Sequence, residues 1–156
     1  MDKIAVIRIR GTMNVNKEIK DTLNMLRLFN KHYCIIINNS PNYVGMLKKV
    51  KDYVTWGEIN KETFLALLKE RGRLPCNKRI TEDYLKDKNK LTFEQFAEEF
   101  FNNKKSLIDV PGLKLFFKLK SPVKGFERGG IKKPFSLGGA LGYRKDRIND
   151  LIMRMI

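Results

Sequence analysis

KIAVIRIRG, residues 3–11, opens a stretch whose reading decides the fold, and it is followed by HYCIII at 32–37 and YVTWG at 53–57. Lys3 to Ile9 is short, β-branched and closed by Gly11. A period of two puts Ala5, Ile7 and Ile9 on one face and Arg8 and Arg10 on the other, which predicts a strand. His32 to Ile37 is nearly all apolar, as in a strand covered on both faces, and Tyr53 to Gly57 supplies a third. Between the first two strands, Ile19, Leu23 and Leu26 recur at helical spacing behind Asn14 or Asn16 as cap, with Lys17, Lys20 and Asp21 outside the stripe. Ser40-Pro41 starts a second helix with a hydroxyl cap and a proline at the first turn, where its missing N–H costs little. Strand, helix, strand, helix, strand over residues 1–60 predicts an α+β fold, a βαβαβ two-layer sandwich with helices on one sheet face.

Outward from this unit the composition changes. Residues 61–110 read as a helical insertion. Asn60 precedes Phe64, Leu67 and Leu68, Gly72 stops that helix, and Thr92 with Gln95 forms a capping box ahead of Phe93, Phe96 and Phe100. Helical spacing marks this aromatic stripe as core packing rather than a base-stacking platform. Residues 111–156 begin with Leu113, Leu115, Phe117 and Leu119 alternating with Lys114, Lys118 and Lys120, interrupted only by Phe116, the clearest strand pattern in the chain. Ser121 to Arg144 holds six of the 11 glycines, interleaved with Lys124, Arg128, Lys132 and Lys133, and predicts an exposed loop or arm with too few apolar residues for a packed element. A closing helix buries Ile148, Leu151, Ile152 and Met155 and exposes Arg147 and Arg154. The three stretches are expected to pack as a single domain.

The 156 residues carry 32 Lys and Arg against 17 Asp and Glu, a formal net charge of +15, on a chain whose 42% hydrophobic content marks it as folded. A polyanion is the expected partner, and RNA is favoured over a membrane because no wide apolar face opposes a basic one. The basic excess is +5 over residues 1–60 (10 bases, 5 acids), +2 over 61–110 (11 and 9) and +8 over 111–156 (11 and 3), so contact is expected at the two ends of the chain. Candidate RNA contacts from the residues themselves are Arg8 and Arg10 on the first strand, and Lys124, Arg128, Lys132, Lys133 and Arg144 on the arm. Glycine there lets backbone approach phosphates, and Phe126, Phe135 and Tyr143 could wedge against bases. The bland alternative is a surface loop that is basic because the whole protein is.

Other chemistries lack apparatus. Cys34 and Cys76 have no C-x-x-C spacing and there is one histidine, so no metal, cofactor or disulfide is assigned. His32 inside an apolar strand reads as a satisfied structural histidine, and Glu82-Asp83 and Glu98-Glu99 point apart on helices. The phosphate-binding glycine motifs are absent, and no catalytic residue is proposed. The start MDKIAVIRIRG breaks the apolar run of a signal peptide, and a cytoplasmic protein is expected.

Three segments, KIAVIRIRG at 3–11, TLNMLRLFNKHYCIIINN at 22–39 and SPNYVGMLKKVKDYVTWGEI at 40–59, closely resemble the large-subunit ribosomal protein thirty family, with GMLKKVKDYV, Gly45 to Val54, the most telling part. The long middle insertion and the ending GGALGYRKDRINDLIMRM are similar to its archaeal and eukaryotic branch. The resemblance implies a sheet ordered 3-1-2, related to the ferredoxin-like fold, and a structural, non-enzymatic role in the cytoplasmic large (50S-type) subunit. It implies large-subunit ribosomal RNA as partner, a place near 5S ribosomal RNA, neighbouring large-subunit proteins, no membrane and no homo-oligomer. It also implies RNA contact for Lys48, Lys49 and Lys51. These lysines lie largely off the Tyr43, Leu47 and Val50 stripe, and Gly45 removes a side chain where backbone or nucleic acid can approach. The rival reading is a free RNA-binding regulatory or processing protein. Against it, the strands lack the aromatic-rich pattern that stacks single-stranded bases.

Overall fold

The computed structural model describes residues 3–156 and builds them around β1, Lys3–Arg8, whose edges are both taken. β2 (Tyr33–Asn38) pairs antiparallel on one side, with Val6 opposite Ile35. β3 (Val54–Glu58) pairs antiparallel on the other, with Ile7 opposite Thr55. Two-residue strands extend both edges: β4 (Phe117–Lys118) lies antiparallel to β2, and β5 (Gly142–Tyr143) parallel to β3. The order is β4-β2-β1-β3-β5, so the first three strands lie 3-1-2 when read from the β3 side.

α1 (Lys17–Met25) starts at Asn16, whose side chain accepts the Glu18 N–H. α2 (Pro41–Lys49) starts at Ser40, which accepts the Tyr43 N–H ahead of Pro41 in the first turn. Leu23, Leu47 and Val50 bury against Ile4, Val6 and Ile35 on one sheet face, completing the two-layer βαβαβ unit. The opposite face, with Ala5, Ile7 and Ile9, is covered as well. α3 (Lys61–Arg71), α5 (Phe93–Phe101) and α6 (Ile148–Met155) form a third layer there, with α4 (Glu82–Asn89) adding Leu85 to the same core. Phe64 stacks on Phe100 at 4.6 Å, so the aromatic stripe is core, and the Thr92–Gln95 capping box is formed. Asn149 pins α6 to the corner after β3, accepting the Asn60 N–H and donating to the Glu58 carbonyl, each at 3.0 Å. No described helix is long and apolar enough to cross a membrane.

Three local expectations need correction. The alternation from Leu113 to Lys120 does bury Leu113, Phe117 and Leu119, but only Phe117 and Lys118 pair as a strand. The Leu119 N–H adds one bond to the His32 carbonyl, while the Lys114 and Lys120 amides, on the side facing away from β2, go to the Arg73 and Met155 carbonyls. His32 lies just before β2 in a left-handed conformation, φ 65°. Its Nε2 is buried without a hydrogen-bond partner, so it is not the satisfied histidine expected, and burial together with Lys31 holds its pKa below the usual imidazole value.

The third correction concerns residues 121–144, which pack instead of projecting. Gly129 donates to the Gly138 carbonyl at 2.9 Å, and a Cβ at Gly139 would sit 2.1 Å from the Lys133 carbonyl oxygen. Only glycine permits that approach. Ala140 and Leu141 are buried against the third layer.

Candidate nucleic-acid interface

Two of the ten candidate contacts are not surface residues. Arg8 is 1% exposed, and its guanidinium donates to the carbonyls of Leu28, Phe29, Arg10 and Gly11 at 2.7–3.0 Å. It closes the end of β1 onto the turn between α1 and β2, satisfying carbonyls that burial would otherwise leave unpaired. Burial lowers its pKa, offset in part by Tyr53. Arg144 is 2% exposed, forks onto both Glu127 carboxylate oxygens at 2.7 and 3.3 Å, donates to Thr55 Oγ1 and the Ala140 carbonyl at 2.8 Å, and lies over the Phe135 ring. The RNA-contact assignment for both is corrected: their donors hold the fold together. Strand alternation predicts an outward face for Arg8 because it cannot see that residues 28–29, beyond α1, fold over it.

Arg10 is half-buried, its guanidinium 5.0 Å from the Tyr53 ring centroid and donating to the Asp52 carbonyl at 3.3 Å. Both backbone amides of Ile9 and Arg10 donate to the Tyr53 carbonyl, which fixes the end of β1 against the turn after α2. Here the chain forms an open cleft of about 380 Å³ lined by Arg10, Met13, Lys31, Tyr53, Ile131 and Lys132 among others, with no acidic side chain in its lining among the described residues. Arg10 and Lys132, some 120 residues apart in sequence, are thus brought together. Lys31 joins them, a residue the sequence reading missed. The antiparallel register, Ile7 opposite Cys34, sets the start of β2 beside the end of β1, so pairing direction was the signal that could have found it. Met13, 86% exposed at the rim, was missed too.

The other candidates are exposed but not all gathered. Lys48 and Lys49 lie in the last turn of α2, where cations complement the helix dipole, and Lys51 lies on the turn leading to Tyr53. Lys49 also approaches Glu18 at 3.5 Å, an exposed pair of little energetic weight. Gly45, three and four residues before Lys48 and Lys49, shares their helix face. A Cβ there would meet no atom within 4 Å, so no protein backbone approaches it. Lys124, Arg128 and Lys133 are exposed on the segment from 121 to 144 and do not line the cleft. Of the three aromatics expected to face bases there, Phe126 and Phe135 are half-buried, Phe126 against His32 and Phe135 beneath Arg144. Tyr143 is half-exposed with its hydroxyl bonded to Glu58, which raises its pKa to about 12. The paired carboxylates of α5 each meet a lysine, Glu98 with exposed Lys61 and Glu99 with half-buried Lys105.

A family model described as ribosomal protein L30p/L7e matches residues 4–54, that is, β1 through the start of β3. Curated relatives extend the likeness across the chain. The large ribosomal subunit protein uL30 of Methanococcus maripaludis is 49% identical over 152 residues, 97% of this chain and 98% of that protein. That of Methanopyrus kandleri is 48% identical over 95% of this chain and the whole of its own length. The counterpart in Nanoarchaeum equitans is 46% identical over 97% of each.

Proposed function

The chain belongs to the large ribosomal subunit protein uL30 family, and we propose that it binds large-subunit ribosomal RNA through the basic cleft of Arg10, Lys31 and Lys132. It is a structural constituent of the large ribosomal subunit, as its near-full-length relatives are named. The observation that carries the RNA reading is the convergence of three cations from distant parts of the chain around one concave surface with no acid among its described lining residues. Arg10 is held by Tyr53 and one carbonyl, leaving most of its donor fork for a phosphate. Lys48, Lys49 and Lys51 beside the open face at Gly45, and Lys124, Arg128 and Lys133, supply further phosphate contacts in this reading. The free-regulator alternative has no observation in its favour.

Affinity for a large-subunit RNA fragment, measured against salt, tests this. The log–log slope should be about −0.7 to −0.9 per phosphate neutralised, and replacing Lys124, Arg128, Lys132 and Lys133 with Ser should flatten it. Because all four side chains are exposed, the free protein should melt within a few degrees of the parent. An unchanged slope contradicts the proposal. The reading extends to a place near 5S ribosomal RNA: a hydroxyl-radical source tethered to a cysteine replacing Met13, in a Cys76→Ser background, should cleave 5S RNA in assembled subunits. Cleavage confined to the longer RNA contradicts it.

A further inference from the structure

The lower half of β2 has an open edge. β4 covers only Tyr33 and Cys34, and no residue before Phe117 pairs with β2. The Leu119 N–H donates to the His32 carbonyl, so even-numbered residues turn their backbone groups to that side. The alternation of an antiparallel ladder then turns the N–H and C=O of Ile36 and the N–H of Asn38 outward, and no described group bonds them. This edge is the floor of a groove between the two helical layers, walled by Met25 and Tyr43 on one side and by Leu107, Ile108 and Leu115 on the other. Met25 is 68% and Ile108 73% exposed. Proteins ordinarily blunt such an edge with charge, proline or a covering loop, and the sequence along it is Ile35-Ile36-Ile37.

The groove has a sign. Lys3 reaches into its lining from β1, its Nζ bonded to Asn38 Oδ1 at 2.6 Å and Asn103 Oδ1 at 2.7 Å and lying 4.3 Å from the Phe100 ring centroid. Two neutral amide oxygens leave the third ammonium proton and the charge itself without a carboxylate among the described residues. Arg27 lines it too, and among the described residues no acidic side chain does. Ile35 to Asn38 span about 13 Å as a strand, room for a short extended segment.

We infer that this groove docks an extended segment of a neighbouring protein, added as a strand on the edge of β2, with apolar side chains at alternate positions and a carboxylate for Lys3. Main-chain hydrogen bonds to Ile36 and Asn38 supply the alignment, and the apolar walls with the buried ammonium supply the choice of side chains. The inference goes beyond RNA binding and involves none of the residues assigned to it.

A photoreactive benzoylphenylalanine in place of Ile108, in the full chain assembled into large subunits, tests it. The expected cross-link is to a protein segment that alternates apolar residues with Asp or Glu. The synthetic peptide of that sequence, added to the free full chain, should slow exchange of the Ile36 and Asn38 amides at least tenfold. Lys3→Met, or Met25→Glu at an exposed wall position, should weaken that peptide about tenfold while leaving the salt dependence of RNA binding unchanged. A cross-link to RNA, no cross-link, or a cross-linked peptide that leaves those two amides exchanging as before overturns the inference. Loss of the RNA salt dependence with the protein cross-link intact would count against the RNA proposal alone.

Discussion

The βαβαβ unit and the segment from 121 to 144 are both ordered, but different forces order them. In the first, Leu23, Leu47, Val50, Ile4, Val6 and Ile35 exclude water between α1, α2 and the sheet, and lysines ride outside on a frame fixed by apolar area. In the second, little apolar surface is available. The frame is a buried arginine forked onto Glu127, glycines whose backbones touch, and the buried residues Pro122, Gly139, Ala140 and Leu141. The lesson is that a glycine-rich basic segment can be preset by polar links and a few buried residues, so that little ordering entropy would remain to be lost on binding a polyanion.

Breaking the polar frame should have the largest effect. Arg144→Met strands the Ala140 carbonyl, removes the donor to Thr55 Oγ1 and leaves Glu127 only Arg154 at 3.7 Å, and urea unfolding should show a loss of about 3 to 5 kcal/mol, the cost of breaking a buried pair. A loss under about 1 kcal/mol would place the pair with ordinary surface bridges. Next comes the apolar frame: Leu23→Ala should cost about 2 to 5 kcal/mol by opening a cavity, lowering RNA affinity only as far as it unfolds the protein.

A smaller change of opposite sign sharpens the comparison. Gly45→Ala fills open space in a helix and should stabilise the free protein by about 0.5 to 1 kcal/mol, read as a raised Tm. If RNA approaches that face, affinity should fall despite the added stability; unchanged affinity would remove Gly45 and its neighbours from the interface. The smallest effect is a titration. The hydrogen bond from Tyr143 to Glu58 raises the phenol pKa from 10 to about 12, so this link between β5 and β3 is fully present below pH 10 and is lost as pH rises through about 12. Ultraviolet titration should show one late tyrosine, and Glu58→Gln should return it toward the others.

Local signals in the sequence were reliable where local chemistry decides the outcome. The caps at Asn16 and Ser40, the Thr92–Gln95 box and the stop at Gly72 are set by groups within four residues, and all form. The alternation from Leu113 to Lys120 reports which side chains are buried, not where the amides go, and those go to Arg73 and Met155. The buried arginines were illegible for a related reason. A guanidinium beside four carbonyls and one in water look alike in a sequence, and only the path of residues 8–11 and 28–29 separates them. Of the candidate interface, the charge was legible, whereas the meeting of Arg10, Lys31 and Lys132 required the fold.

Amide hydrogen exchange of the free, full-length protein tests the preset frame most directly. The donors at Gly129, Ala140, Leu141 and Arg144 each have a backbone acceptor, in Gly138, Gly130, Lys133 and Trp56. They should exchange far more slowly than unstructured amides in the absence of RNA, and Arg144→Met should release them together. Exchange of these four at unstructured rates in the unmodified free protein would contradict the account, since the segment would then take its shape only on RNA.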